Sequence, residues 1–148
     1  MRVLIVEDET AAYENLVDIL KEVSYDIQLS GNTESVTQTI HWLQSNPAPD
    51  LIFMDIHLSD GSAFTIFDKM ELETPIVFTT AYDRYAIEAF KVNSVDYLLK
   101  PVNPVEFRNT MTRIAEQIMK QNDKKDKEQF TDLQMRKYVL TCLLNGTP

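Results

Sequence analysis

The sequence predicts an α/β fold, a doubly wound five-stranded parallel sheet with helices on both faces, and two observations carry that prediction. Short, uniformly apolar runs at residues 3–6, 51–54 and 76–78 have strand length without polar alternation, as expected of central strands covered on both sides. Between them apolar residues recur at helical spacing, so strand and helix patterns alternate along the chain, which calls for parallel strands joined by right-handed crossovers.

Taken in order, the first strand is Arg2–Val6, and it runs into Glu7-Asp8-Glu9. Leu16, Ile19, Leu20 and Val23 mark an amphipathic helix with Thr10 as its N-cap. Tyr25, Ile27 and Leu29 alternate with polar residues, which suits an edge strand with one wet face, and Gly31-Asn32 is expected to break it. Val36, Ile40 and Leu43 lie on one side of a second helix, closed by Asn46-Pro47-Ala48-Pro49, where proline forbids continuation. His41 reads as a surface or half-buried side chain, because no partner stands at metal-binding spacing.

The third strand, Leu51–Met54, delivers Asp55 to its C-terminal tip, and a polar loop closed by Asp60-Gly61 follows. Phe64, Phe67 and Met70 mark a short third helix. Ile76-Val77-Phe78 is the fourth strand and ends in Thr79-Thr80-Ala81, residues 84–92 form a fourth helix, and Val95–Leu99 is a fifth strand stopped by Lys100-Pro101. Asn103-Pro104-Val105-Glu106 is a helix start, with Asn as N-cap, Pro at the first position and Glu at the third. Phe107, Met111, Ile114 and Ile118 continue that fifth helix on one face. With the wet strand at an edge, the strand order is 2-1-3-4-5, and the switch point falls between strands one and three. Residues 1–120 then make one domain. Residues 121–148 form a linker or an extra C-terminal helix, with an apolar stripe from Phe130 to Leu144.

Charge narrows the function. The net charge is −9, and residues 1–118 carry 8 basic against 19 acidic residues, so this body repels phosphate backbones and suits a cation better. The single Cys142 excludes an intramolecular disulfide and a cysteine-based zinc site, and reads as a small core hydrophobe. No run of 18 apolar residues provides a membrane span, and the opening MRVLIV is too short for a signal peptide, so the expected location is cytoplasmic.

At the C-terminal ends of the strands, where parallel sheets bind ligands, stand Glu7 and Asp8, then Asp55, Thr80 and Lys100. Three carboxylates crowded together call for a cation, and an all-oxygen set suits Mg²⁺. Asp55 beside such an ion is a carboxylate nucleophile for phosphoryl transfer, with Lys100 neutralising charge on the transferring group and the Thr80 hydroxyl bonding the product.

Over residues 1 to about 120 the chain resembles the receiver domain of two-component response regulators. The residues that carry the likeness are Glu7-Asp8 after strand one, the Asp55 strand end, Thr80-Ala81, and Tyr97-Leu98-Leu99-Lys100-Pro101. The resemblance implies a flavodoxin-like (βα)5 fold like that of chemotaxis regulators. It also implies that Asp55 accepts phosphate from a sensor histidine kinase, that Asp8 ligates Mg²⁺ directly and Glu7 through water, and that the main-chain carbonyl of His57 completes the ligands. Thr80 and Tyr97 become the switch pair, and Lys100, before a cis Pro101, contacts the phosphoryl group. Glu7 replaces the family's commoner Asp while keeping its charge, and Ser59 stands where many members have proline, which implies a less stiff loop.

The stretch TAYDRYAIEAFKVNSVDYLLKPV further resembles regulators with a LytTR-type DNA-binding output. The 30 residues after 118 are too few for such a domain, which takes ~100 residues or more, so DNA would be reached only through an output domain outside this chain. An excised receiver with its linker is preferred over a stand-alone one. Mixed charge at Arg84, Lys91, Asp96, Glu106 and Arg113 suggests a phosphorylation-promoted homodimer. A haloacid-dehalogenase-like phosphatase would need an Asp where His57 stands. A flavin module would need a phosphate cradle where Glu7-Asp8-Glu9 repels phosphate. An interaction module that is never phosphorylated is the remaining alternative, and the intact acceptor, metal pair, Thr and Lys argue against it.

Overall fold

The computed structural model describes residues 1–23, 27–81 and 96–122. Strands β1 (Arg2–Val6), β2 (Gln28–Thr33), β3 (Leu51–Asp55), β4 (Ile76–Thr80) and β5 (Asp96–Leu99) form one parallel sheet in the order β2-β1-β3-β4-β5. This is the 2-1-3-4-5 arrangement that the wet edge strand implies. Four helices are described: α1 (Thr10–Val23), α2 (Val36–Ser45), α3 (Thr65–Lys69) and α4 (Pro104–Asn122). The last is the fifth helix of the sequence pattern. The predicted helix at 84–92, Tyr25, Val95, Cys142 and the stripe from Phe130 to Leu144 lie outside the described residues.

Because side chains alternate along a strand, the sheet sorts its apolar residues into two clusters. On one face Val3, Ile5, Leu51, Phe53, Val77 and Leu98 meet the stripes of α1 (Leu16, Ile19, Leu20, Val23) and α4 (Phe107, Met111, Ile114). Phe53 and Phe107 stack there, with ring centroids 5.6 Å apart. On the other face Leu4, Val6, Ile52, Met54, Ile76 and Phe78 meet Val36 and Ile66, with Ile40, Trp42, Leu43, Phe64 and Phe67 packed around them. β1, β3 and β4 are buried almost throughout, whereas β2 is half wet, as an edge should be.

Several local expectations change. Gly31-Asn32 does not end the second strand, which runs on to Thr33 after a register slip opposite Val3 and Leu4. Glycine is required there by close approach, since a Cβ at Gly31 would lie 2.7 Å from the indole nitrogen of Trp42. The Asn32 amide donates to the Ile5 carbonyl at 3.0 Å, so its side chain reinforces the ladder instead of breaking it. Thr10 is the first residue of α1 and not its cap, and the preceding Glu9 carbonyl accepts from the Tyr13 amide at 3.0 Å. The cap of α2 is Ser35, whose hydroxyl accepts from the Gln38 amide at 3.0 Å. α3 is shorter than the spacing of Phe64, Phe67 and Met70 suggests, and its fully buried residue is Ile66. The Asn103 cap holds as expected, with its side-chain oxygen accepting from the Glu106 amide at 2.8 Å. Among the described residues no helix is long and apolar enough to cross a membrane.

Candidate functional site

The register of the central strands brings distant residues to one edge of the sheet. Val6 pairs with Met54, so Glu7 and Asp55 leave the sheet side by side. Asp55 pairs with Thr79, and Thr80 pairs with Leu99. The Lys100 amide then donates to the Thr80 carbonyl at 2.7 Å, which fixes the chain just past β5. Strand alternation sorts these groups by face. Glu7, Asp55 and Lys100 continue the rows of Ile5, Phe53 and Leu98, which face α1 and α4, whereas Thr80 and Tyr97 continue the opposite row with Phe78.

Lys100 sits at the centre of the first group. Its ammonium lies 2.5 Å from Glu7 Oε1, 3.1 Å from Asp55 Oδ2 and 3.4 Å from Glu9 Oε1. Glu7 and Asp55 are only 5% and 4% exposed, so desolvation makes their pairing with the lysine matter. Burial raises the Glu7 carboxyl above the ordinary range, against the opposing pull of Lys100, and the neighbouring Asp55 raises it further. Burial, then the charge of Glu7, raises Asp8 as well. For Lys100 burial pulls downward, yet its bond with Glu7 and the charges of Asp55 and Glu7 outweigh it and hold the ammonium above its usual value.

Glu7, Asp8, Glu9 and Asp55 each offer a carboxylate oxygen, and the four oxygens lie within 4.8 Å of one another. A hard divalent cation of Mg²⁺ type fits this donor set, which is all oxygen and carries more negative charge than one lysine can balance. Glu9 was not among the candidate ligands read from the sequence. Only its place in an acidic run signalled it.

His57 leaves its side chain exposed, while its amide donates to Asp55 Oδ1 at 3.2 Å. Thr80 is fully buried, and Tyr97 packs against the second cluster, half-buried. The Lys100–Pro101 bond is cis, as the resemblance implied. Beside the carboxylates a cavity of about 410 Å³ opens between α1 and the segment after β5, lined by Glu7, Ala12, Phe53, Lys100 and Val102. The Asn15 amide crosses its rim to the Val102 carbonyl at 3.0 Å, tying the lysine-bearing segment to α1. Nothing in the helical spacing of α1 marks Asn15 for this bond.

Residues 3–112 match the response regulator receiver domain. The chain belongs to this family. Receiver relatives include the sensory transduction protein LytT of Bacillus cereus, 33% identical over 143 residues that cover 95% of this chain and 57% of that protein. The transcriptional regulatory protein BtsR of Escherichia coli is 36% identical over 127 residues, 82% of this chain and 51% of that protein. The receiver thus spans only a little over half the length of such relatives. Among solved structures, the response regulatory domain of mrkE from Klebsiella pneumoniae superposes with a TM-score of 0.67 at 29% identity, covering 76% of this chain and 93% of that one.

Proposed function

We propose that this receiver is a phosphorylation-dependent switch in which Asp55 accepts a phosphoryl group from the phosphohistidine of a sensor kinase. The observation that carries the reading is the convergence of Lys100 with Asp55 and Glu7 inside a four-carboxylate cluster at the sheet's C-terminal edge. An Asp55 oxygen forms the new bond to phosphorus as the bond to the kinase imidazole breaks, and the ammonium of Lys100 lies within reach of the transferred oxygens. Mg²⁺ would be held by Asp8 and Asp55 directly, by Glu7 through water and by the main-chain carbonyl of His57. When bound it would neutralise charge on the phosphoryl oxygens. Buried Thr80 supplies a hydroxyl to the phosphorylated acceptor, and Tyr97, in the same row of the sheet, responds to its movement. Such a swap biases an equilibrium between two states rather than creating one.

Intact mass after incubation with acetyl phosphate and Mg²⁺ tests the reading. The chain gains ~80 Da, one phosphoryl group, and loses that gain in EDTA or as Asp55→Asn. Equal labelling of Asp55→Asn would place the acceptor elsewhere. Transcription is the proposed output, because BtsR is a transcriptional regulator, and it would act through a segment outside this chain. We also propose that phosphorylation favours a homodimer through the face of β5 and α4, where Glu106 and Arg113 are exposed. Surface pairs of that kind contribute ~1 kcal/mol or less each, so the association is salt-sensitive. Sedimentation velocity with beryllofluoride reads it, and an unchanged mass at every salt and concentration would remove this surface from the output.

A further inference from the structure

The loop that leads from Asp55 to α3 is a hairpin, with His57 and Leu58 pairing antiparallel with Ser62 and Gly61. Ser59 and Asp60 make the turn, and Gly61, which follows it opposite Leu58, has φ 142°, a conformation that side-chain-bearing residues rarely adopt. Ile56 and Leu58 anchor the hairpin's base in the second core cluster. Its tip is anchored differently. The Asp60 carboxylate reaches the first turn of α2, where Oδ1 accepts from the Val36 amide at 2.6 Å, and Oδ2 accepts from the Thr37 amide at 3.1 Å and the Thr37 hydroxyl at 3.0 Å. Next to it the Ser59 hydroxyl donates to the Glu34 carbonyl at 3.2 Å. These amide bonds hold the Asp60 carboxyl below the ordinary aspartate range.

A helix start leaves its first amides without intrahelical partners, and a carboxylate there also meets the favourable end of the helix dipole. α2 already has a local cap in Ser35. A second cap from a loop more than twenty residues away therefore does something that Ser35 cannot: it fixes the hairpin to the body of the fold. The base of that hairpin is His57, whose amide holds Asp55 Oδ1.

We propose that Asp60 is a positioning residue for the phosphoacceptor site. By pinning the hairpin tip to α2 it fixes the main chain at His57, and through it both the orientation of the Asp55 carboxylate and the carbonyl offered to the divalent cation. The proposal rests on the receiver reading above, in which that carbonyl and Asp55 hold Mg²⁺.

Calorimetric titration of Mg²⁺ into the full chain, with no phosphoryl donor, separates positioning from simple helix stabilisation. Ser35→Ala removes the local cap of the same helix and touches no part of the hairpin, so it serves as the control, and thermal melts of each variant measure the fold. Asp60→Ala binds Mg²⁺ about tenfold more weakly than the parent, the lower end of what is lost when a residue behind a metal ligand is removed. Asp60→Asn, which keeps one acceptor oxygen, falls between them, and Ser35→Ala binds as the parent does. At saturating Mg²⁺ the Asp60 variants recover most of their rate of labelling by acetyl phosphate, because the defect lies in cation affinity. Parental affinity in Asp60→Ala, or an equal loss in Ser35→Ala, overturns the positioning role. Failure of the unmutated chain to bind Mg²⁺ overturns instead the reading on which it rests.

Discussion

On one face of the sheet α1 and α4, 14 and 19 residues long, lay continuous apolar stripes over Val3, Ile5, Phe53 and Val77. On the other, α2 and α3, 10 and 5 residues long, cover Leu4, Val6, Met54 and Phe78, and Ile40, Leu43, Phe64 and Phe67 remain only partly withdrawn from solvent. Among the described residues this second face has less helix, and polar ties and aromatic contacts hold it. The hydroxyls of Thr33 and Thr39 meet at 2.7 Å in the interior, Asp60 and Ser59 bind the loop after β3 to α2 and the residue before its cap, and Phe64 and Phe67 crowd Phe78. The contrast bears on function. In the proposed switch the face of α1 and α4 carries Glu7, Asp55 and Lys100, groups proposed to hold one geometry, and the face whose described helices are shorter carries Thr80 and Tyr97, groups proposed to move. Short helices with partly exposed apolar residues open at lower cost than long buried stripes.

The largest expected effect tests that contrast directly. Phe107→Ala, at the centre of the first cluster, costs about 3–5 kcal/mol in urea unfolding, the usual loss for a buried phenylalanine. Phe67→Ala on the second face costs roughly 1–2 kcal/mol, because its ring is only partly buried. Equal losses would show that the two faces are equally well packed and would end the comparison.

A second substitution asks how tightly the wet edge is fitted. Gly31→Ala places a methyl against the Trp42 indole, and overpacking of this kind costs about 1–3 kcal/mol. Trp42→Leu in the same chain recovers part of that loss, so the two changes are not additive. A neutral Gly31→Ala would mean that Trp42 swings aside freely.

The smallest effect has the opposite sign. Burial and the charge of Glu7 raise Asp8 above its unfolded value, so the folded state takes up its proton more readily than the unfolded chain does. Its contribution to stability is therefore full below the unfolded value of about 3.9 and is lost as pH rises through the folded one. At neutral pH, without a cation, ionised Asp8 is a burden. Asp8→Asn consequently stabilises the ion-free chain there, by ~0.5 kcal/mol or less because solvent screens this largely exposed group, and the gain shrinks as pH falls into the aspartate range. Thermal melts in EDTA at neutral and acid pH measure it, and a clear loss at neutral pH would show that Asp8 makes a favourable contact the repulsion argument neglects.

Apolar periodicity alone determined much of this protein. Short uniform apolar runs of strand length identify β1, β3 and β4, the 3.6-residue stripes of α1 and α4 identify their buried faces, and the half-wet second strand sets the strand order. From that order it follows that Glu7, Asp8, Asp55, Thr80 and Lys100 arrive at one edge of the sheet, since parallel strands all end on the same side. The Asn103 cap was equally legible, because capping depends on residues three apart in the chain. Tertiary structure alone decided the rest. Periodicity says nothing about whether a strand can pass through Gly31-Asn32, because that depended on Trp42 of α2 lying over the glycine. Nor does it orient short polar side chains whose partners are distant in sequence: Glu9 on Lys100, Asn15 on Val102, Thr33 on Thr39 and Asp60 on the start of α2. Those bonds exist because packing the two apolar faces brings particular loop ends within about 3 Å of one another, and hydrogen bonds discriminate at that scale.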